Sequence, residues 1–237
     1  MTYDAVHSDF NGLASNTIFC FWTGAEAMSI NRMQATWSIF QHSGCPVMLV
    51  TANNLPNWIL PGSPLHPAYP FLTSTHKSDY LRCYFMHHFG GGYTDLKLTF
   101  RIWFPHFNNL RQSSALGLGY PEIEQGIPHL KEHPSLCHIP HNRLIGLCSF
   151  IFKRKSELTF AWMEAVHNLL DSKFDALKKN PGQHHLERHG IVMPDGRVSN
   201  YPLRWAELLG EIFHPLAYDH SSQLIQADIA PKFQNYR

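Results

Sequence analysis

The chain has 237 residues and a mass of 27.2 kDa, enough for one globular domain with a substantial core and too few for two full ones. Hydrophobic residues make up 44%, aromatics 13% and charged residues 16%, which excludes wholesale disorder. The 19 Lys and Arg against 18 Asp and Glu leave a net charge of +1 and no global positive field, so no nucleic-acid partner is expected.

Histidine is in excess, with 17 residues spread along the chain, which invites metal hypotheses without selecting one. The five cysteines, Cys20, Cys45, Cys83, Cys137 and Cys148, are odd in number and contain no Cys-x-x-Cys pair. They read as reduced thiols of a cytoplasmic protein, not as a zinc ribbon or a disulfide framework. Met1 to Phe10 holds no basic segment followed by an apolar run, and the longest apolar stretch is Leu144 to Phe152. Neither an export signal nor a membrane span is expected.

Thr17 to Thr23 (TIFCFWT) reads as a buried strand ended by Gly24. Ser29 is a candidate N-cap for an amphipathic helix from Ile30 to Phe40, with Met33, Trp37 and Phe40 at helical spacing; Gly44 and Pro46 stop it before a strand at Val47 to Thr51. Such a β-α-β opening predicts a parallel pair with a ligand beyond the carboxyl ends of the strands, at Trp22-Thr23-Gly24 and Thr51 to Asn54. Five prolines between Pro56 and Pro70 mark a loop.

Thr75 to Phe89 then reads as a helix with an aromatic face, ended by Gly90-Gly91-Gly92, and Tyr93 to Phe100 as an alternating strand with Tyr93, Asp95, Lys97 and Thr99 on its polar face. Leu144 to Lys153 reads as a core strand and Glu157 to Lys179 as a long helix closed by Pro181-Gly182. Gln183 to Ser199 is loop-like, and Pro202 opens a helix to about Phe213 that Pro215 ends.

The richest segment is His76 to Lys97, HKSDYLRCYFMHHFGGGYTDLK. Asp79 and Arg82 share a helix face there, which on spacing alone is an ordinary intrahelical ion pair. One glycine would end the helix; three point to a backbone that approaches something closely. No phosphate-loop Lys-Ser pair, no strand-Gly-x-Gly-x-x-Gly-helix order and no Gly-x-Ser-x-Gly is present, against a nucleotide triphosphatase, a dinucleotide fold or a serine hydrolase.

The order Asp79-x-x-Arg82, aromatic helix, Gly-Gly-Gly and Tyr93-x-Asp95 resembles the sugar-nucleotide-binding region of DXD-type glycosyltransferases. The type is the Och1-like and capsular polysaccharide synthesis enzymes of family 32. Phe21-Trp22-Thr23-Gly24, Pro64-Leu65-His66-Pro67 and Tyr201-Pro202 through Trp205 to His214-Pro215 extend the likeness in order, over about Thr17 to His214. The resemblance implies a GT-A-like, Rossmann-like α/β fold: a mainly parallel sheet flanked by helices with the nucleotide-sugar cleft at the strand ends. It implies one domain over 1–237, with a donor half to about residue 100 and an acceptor half from about 101.

It also implies transfer of a sugar from a UDP- or GDP-sugar to a hydroxyl of a glycan or glycoprotein, with retention of configuration. Trp22 would border the base, with Thr23, Gly91, Gly92 and Tyr93 beside the nucleotide. Asp79 would bond the ribose or base, Arg82 the diphosphate or sugar, and Asp95 would be the first aspartate of the DXD motif. Asp95 and His214 would hold Mn²⁺ or Mg²⁺.

The sequence departs from that pattern at Lys97, where the motif has its second carboxylate. A lysine charge about 5 Å from a divalent ion is repelled by about 6 to 7 kcal/mol at an effective dielectric near 20, so either Lys97 swings away or it replaces the metal. Both alternatives stay open, with Asp95, Lys97 and Arg82 as the catalytic group. An inverting enzyme would need a base, for which Glu122, Glu124 and Asp195 are equal candidates. Two rivals remain. One is a catalytically degenerate carbohydrate- or nucleotide-binding protein, and the other a metallohydrolase built on His184, His185 and His189, for which the Pro-Gly before and Gly190 after argue a loop in place of a chelating helix.

Overall fold

The computed structural model describes residues 16–234. The lead-in Met1 to Phe10, read as free of an export signal, lies outside them. The first strand is β1 (Ile18–Trp22), followed by α1 (Ile30–His42) and β2 (Val47–Thr51), and β1 and β2 pair in parallel from Ile18↔Val47 to Trp22↔Thr51. The β-α-β unit is as expected.

Ser29 caps α1, its side chain accepting from the Arg32 N–H. The helix does not bury the stripe that its apolar spacing predicts. Ala35, Ser38 and Ile39 face inward, whereas Met33, Phe40 and Trp37, the last 67% exposed, face solvent. Ile39 joins the core that holds Ile18 and Cys20, and Ser38 Oγ accepts from the Thr99 N–H, so contacts distant in sequence set the rotation of α1 against its larger side chains.

The proline-rich stretch forms two single 3₁₀ turns and delivers the chain to α2 (Ser74–His88), capped by Thr73 through the His76 N–H. Tyr80 and Tyr84 tie the loop down: Tyr80 OH accepts from the His66 N–H, and Tyr84 OH donates to the Ser63 carbonyl.

Strand β3 (Gly91–Thr94) begins two residues earlier than its alternation predicts and ends six residues sooner. The chain leaves the sheet at Asp95, and the Lys97 N–H bonds the Asp95 carbonyl at 2.7 Å across a three-residue turn. Next come α3 (Phe104–Gln112), β4 (Gly117–Pro121), the single turn α4 (Pro128–Lys131), β5 (Ile145–Phe152), α5 (Glu157–Lys179), α6 (Gly210–Asp219) and the short β6 (Leu224–Gln226). The last helix starts eight residues later than Pro202 predicts and contains Pro215, accepting the loss of one helical bond.

The strands form one six-stranded sheet in the order β2-β1-β3-β5-β4-β6. It is mostly parallel, and only β5 runs against its neighbours β3 and β4. Strands from both halves of the chain therefore share one sheet. Period-2 alternation fills both of its faces: Phe19 and Phe21 of β1 join the core under α2, α5 and α6, while Ile18 and Cys20 join the core under α1 and α3. Among the described residues no helix is long and apolar enough to cross a membrane.

Candidate functional site

Parallel pairing of β1 with β2 and β3 brings Trp22, Thr51 and Asp95 to one edge of the sheet, the carboxyl-end edge on which open α/β sheets carry ligands. A buried chain of alternating charges sits there. Asp79 and Arg82 come from α2, one turn apart, and Arg82 Nη2 lies 3.3 Å from Asp79 Oδ1 and 3.1 Å from Asp95 Oδ1. Lys97 Nζ lies 2.9 Å from Asp95 Oδ2. The sequence therefore places Asp79, Arg82, Asp95 and Lys97 in one cluster.

Other groups hold that cluster rigid. Tyr93 donates its hydroxyl to Asp95 Oδ1 at 2.6 Å, and its ring lies under the Arg82 guanidinium, 4.7 Å from it, and against Phe21. Arg82 Nη1 donates to the Leu147 carbonyl, and Lys97 Nζ donates to Cys148 Sγ at 2.9 Å. Burial and the Asp95 charge push the Cys148 thiol up to about 11, so it faces Lys97 as a neutral thiol at pH 7. No sequence signal singles out Cys148, because it is brought to Lys97 by the antiparallel β3/β5 pairing.

Both oxygens of Asp95 are engaged, one by Arg82 and Tyr93 and the other by Lys97. Burial alone would raise this carboxyl, but the charges of Lys97 and Arg82 outweigh it and hold Asp95 well below the usual carboxylate range. Burial likewise opposes the Lys97 charge, and Asp95 more than restores it, leaving the ammonium firmly protonated. Of the two open alternatives for Lys97, the side chain turns toward Asp95 and not away from it.

This geometry decides how Mn²⁺ or Mg²⁺ fits at Asp95. A hard divalent ion wants several oxygen ligands, and the two carboxylates of the cluster are already engaged, Asp95 by Lys97 and Arg82 and Asp79 by Arg82. His214 is not brought to it. His214 is fully buried in α6, with Nε2 3.3 Å from Glu122 Oε2 and Nδ1 3.1 Å from His129 Nε2, in a separate Glu-His-His chain. The expected Asp95–His214 ligand pair is thus split between two clusters, because the helix that carries His214 starts later than the sequence indicates. The donor set does not fit the metal.

Gly91 and Gly92 open β3, at the end of the strand remote from Asp95. Their tightness is internal. Gly91 adopts φ +88° and Gly90 φ +66°, while a Cβ on Gly92 would stand 3.0 Å from the Trp103 ring. Within the protein, Gly90 closely approaches the backbone of Phe152 and Arg154, and Gly92 the Trp103 and Phe107 rings. Tyr93 is buried and touches Asp95, which makes it a positioning residue. Trp22 is half-buried, its Nε1–H donating to the Glu26 carbonyl, and the buried Thr23 and Tyr69 hydroxyls face each other nearby.

The residues after β6 complete the site, and sequence reasoning missed them. Lys232 N–H bonds the Leu98 carbonyl, and the Phe233 ring lies 5.2 Å from Lys97 Nζ and 5.7 Å from the Tyr120 ring. A groove of about 390 Å³ runs beside them, walled by Tyr120, Ile123, Gln226, Asp228 and Phe233.

Asp79 is the less compensated of the two acids, since Asp95 faces Lys97 and the Tyr93 hydroxyl as well as Arg82. Burial pushes its carboxyl up to about 7 against the pull of Arg82. Between the ordinary value of 3.8 and about 7 the folded protein keeps a proton that the unfolded chain has released, so this group makes stability fall as pH rises through that window. The thermal midpoint is expected to decline between about pH 4 and about pH 7, with a smaller decline in Asp79→Asn. An identical slope in the variant would assign the decline to other groups.

Comparison with family models and with curated proteins finds no match for the chain.

Proposed function

We propose that the chain is a glycosyltransferase that moves a sugar from a UDP- or GDP-sugar to a hydroxyl of a glycan or glycoprotein, with Lys97 and Arg82 serving where related enzymes use a divalent ion. The observation that carries this reading is the Asp79-Arg82-Asp95-Lys97 chain at the carboxyl end of β3. The mostly parallel sheet supports the GT-A-like reading, with the nucleotide at the strand ends beside Trp22 and Thr23.

In the transfer, the bond from the anomeric carbon to the diphosphate oxygen breaks and its electron pair stays with the phosphate, while the acceptor oxygen bonds the anomeric carbon. The charge that develops on the leaving diphosphate needs a cation held in place beforehand. Lys97 answers that need. Its ammonium already carries one donor into a weak acceptor, the Cys148 thiol, and a phosphate oxygen is the stronger partner for it. Asp95 fixes the ammonium and Arg82, and Tyr93 fixes Asp95. For a retaining transfer the acceptor proton passes to the departing phosphate oxygen, which requires no further base on the protein.

Titrating UDP, GDP, ADP and CDP, with some of their sugars, by calorimetry in Mn²⁺ and in EDTA tests the reading. One nucleotide is expected to bind at micromolar concentration, equally well in both buffers, and its sugar donor to be consumed when an acceptor is supplied. Binding without consumption would favour a degenerate binding protein, a reading supported by the saturation of Asp95. Absence of binding to any of them would overturn both.

A further inference from the structure

We propose that Glu26, His184 and His185 form a binding site for one transition-metal ion of the zinc class, at the edge of the sheet where β1 ends. The three residues offer ligand atoms all within 4.8 Å of one another, although Glu26 and His184 are 158 positions apart in the chain. Glu26 lies in the loop between β1 and α1; the histidines lie in the loop after α5. His189, which the sequence groups with them, is not part of the cluster.

Two features point to an ion in place of a simple ion pair. First, His185 Nδ1 stands 3.4 Å from Glu26 Oε2, and it is a buried nitrogen with no hydrogen-bond partner. That separation is long for a good hydrogen bond. It is, however, the distance between two ligands on a tetrahedral ion, since bonds of about 2.0 to 2.1 Å at the tetrahedral angle place ligand atoms about 3.3 to 3.4 Å apart. Second, both donor segments are held from behind through their backbones. Trp22 Nε1–H donates to the Glu26 carbonyl at 2.8 Å, and Thr75 Oγ1 donates to the His185 carbonyl at 2.7 Å, so neither side chain is needed to hold its own loop.

The donor chemistry selects the ion. Two imidazole nitrogens and one carboxylate suit Zn²⁺, Co²⁺ or Ni²⁺ and not the all-oxygen shells of Mg²⁺ or Ca²⁺. The Glu26 side chain is 64% exposed and that of His185 42%, so the fourth position opens to solvent and takes water. His184 changes most on binding. Its Nδ1 accepts from the Leu186 N–H at 3.2 Å, and a ligating imidazole loses that bond in either orientation: Nδ1 gives its lone pair to the ion, or it carries the proton that frees Nε2. An ion held there ties the β1–α1 loop to the loop after α5 beside Trp22. This site is independent of the sugar-nucleotide reading.

Titration of the whole chain with Zn²⁺ and with Co²⁺ tests the proposal. One equivalent of Co²⁺ is expected to give the visible absorption of a four-coordinate ion. Zn²⁺ is expected to displace it, to raise the thermal midpoint reversibly to EDTA, and to shift the Leu186 amide resonance. Glu26→Gln and His185→Gln are each expected to weaken binding by at least about tenfold, since even an outer partner of a ligand is worth about 10- to 100-fold. Their midpoints in EDTA should match that of the parent, because both side chains are partly exposed. Equal isotherms in parent and variants would overturn the proposal, by assigning the binding to other histidines among the 17. An unshifted Leu186 amide at saturating Zn²⁺, which needs no variant, would also overturn it.

Discussion

Asp95→Ala is expected to cost about 3 to 5 kcal/mol of folding stability, the usual result of removing one partner from a buried ion pair and leaving the other behind. Lys97 and Arg82 are 7% and 9% exposed, and each would lose the carboxylate that it faces. For a chain of this size each kcal/mol moves the thermal midpoint by about 2 to 4 °C, so a fall of about 6 to 20 °C should follow, with urea unfolding giving the free energy. Asp95→Asn keeps an acceptor for Tyr93 and should lose less. Asp79→Asn should lose least, because burial already works against the ionised form of that group. A loss below about 1 kcal/mol for Asp95→Ala would mean that water compensates the cluster and that Asp95 does not fix Lys97. The stability that Asp95 contributes is present above the ordinary carboxylate range and disappears as pH falls through the lowered value, opposite in sign to Asp79.

The sheet and the central cluster differ in how they can be read from the sequence. Strand β1, the cap at Ser29, α2 and the long α5 follow from periodicity and punctuation, which are local. The outward turn of Met33, Trp37 and Phe40 is not local: apolar spacing shows that a stripe exists, but which stripe is buried follows from contacts distant in sequence, Ile39 in the core with Ile18 and Cys20 and the Ser38 hydroxyl accepting from the Thr99 N–H. Pairing direction is equally hidden, and the antiparallel course of β5 is what delivers Leu147 and Cys148 to Arg82 and Lys97. Asp95 and Lys97 come together as the sequence indicates, though by a turn and not by the pleat of a strand. The resemblance implies His214 at Asp95, but a helix beginning at Gly210 carries it to Glu122 and His129. Phe233 gave no signal at all, since its place depends on the last strand docking beside β4.

Lys97→Asp separates the two roles open to that position. On the proposed reading the ammonium of the parent meets the diphosphate; two unit charges about 4 Å apart are worth about 4 kcal/mol at an effective dielectric near 20, which corresponds to roughly a thousandfold in affinity. The variant replaces that attraction with a second carboxylate beside Asp95, so nucleotide binding in EDTA should fall by at least a hundredfold and the midpoint should drop. The shorter side chain also empties the space that Nζ fills. With two carboxylates on one tight turn, Mn²⁺ gains the oxygen ligands that the parent denies it, and both affinity and midpoint should recover on its addition. The parent is expected to ignore EDTA and the variant to depend on the metal, an inversion that general damage to the fold cannot produce. If the parent itself loses nucleotide in EDTA, an ion already works beside Lys97, and the assignment of the cation to the ammonium fails.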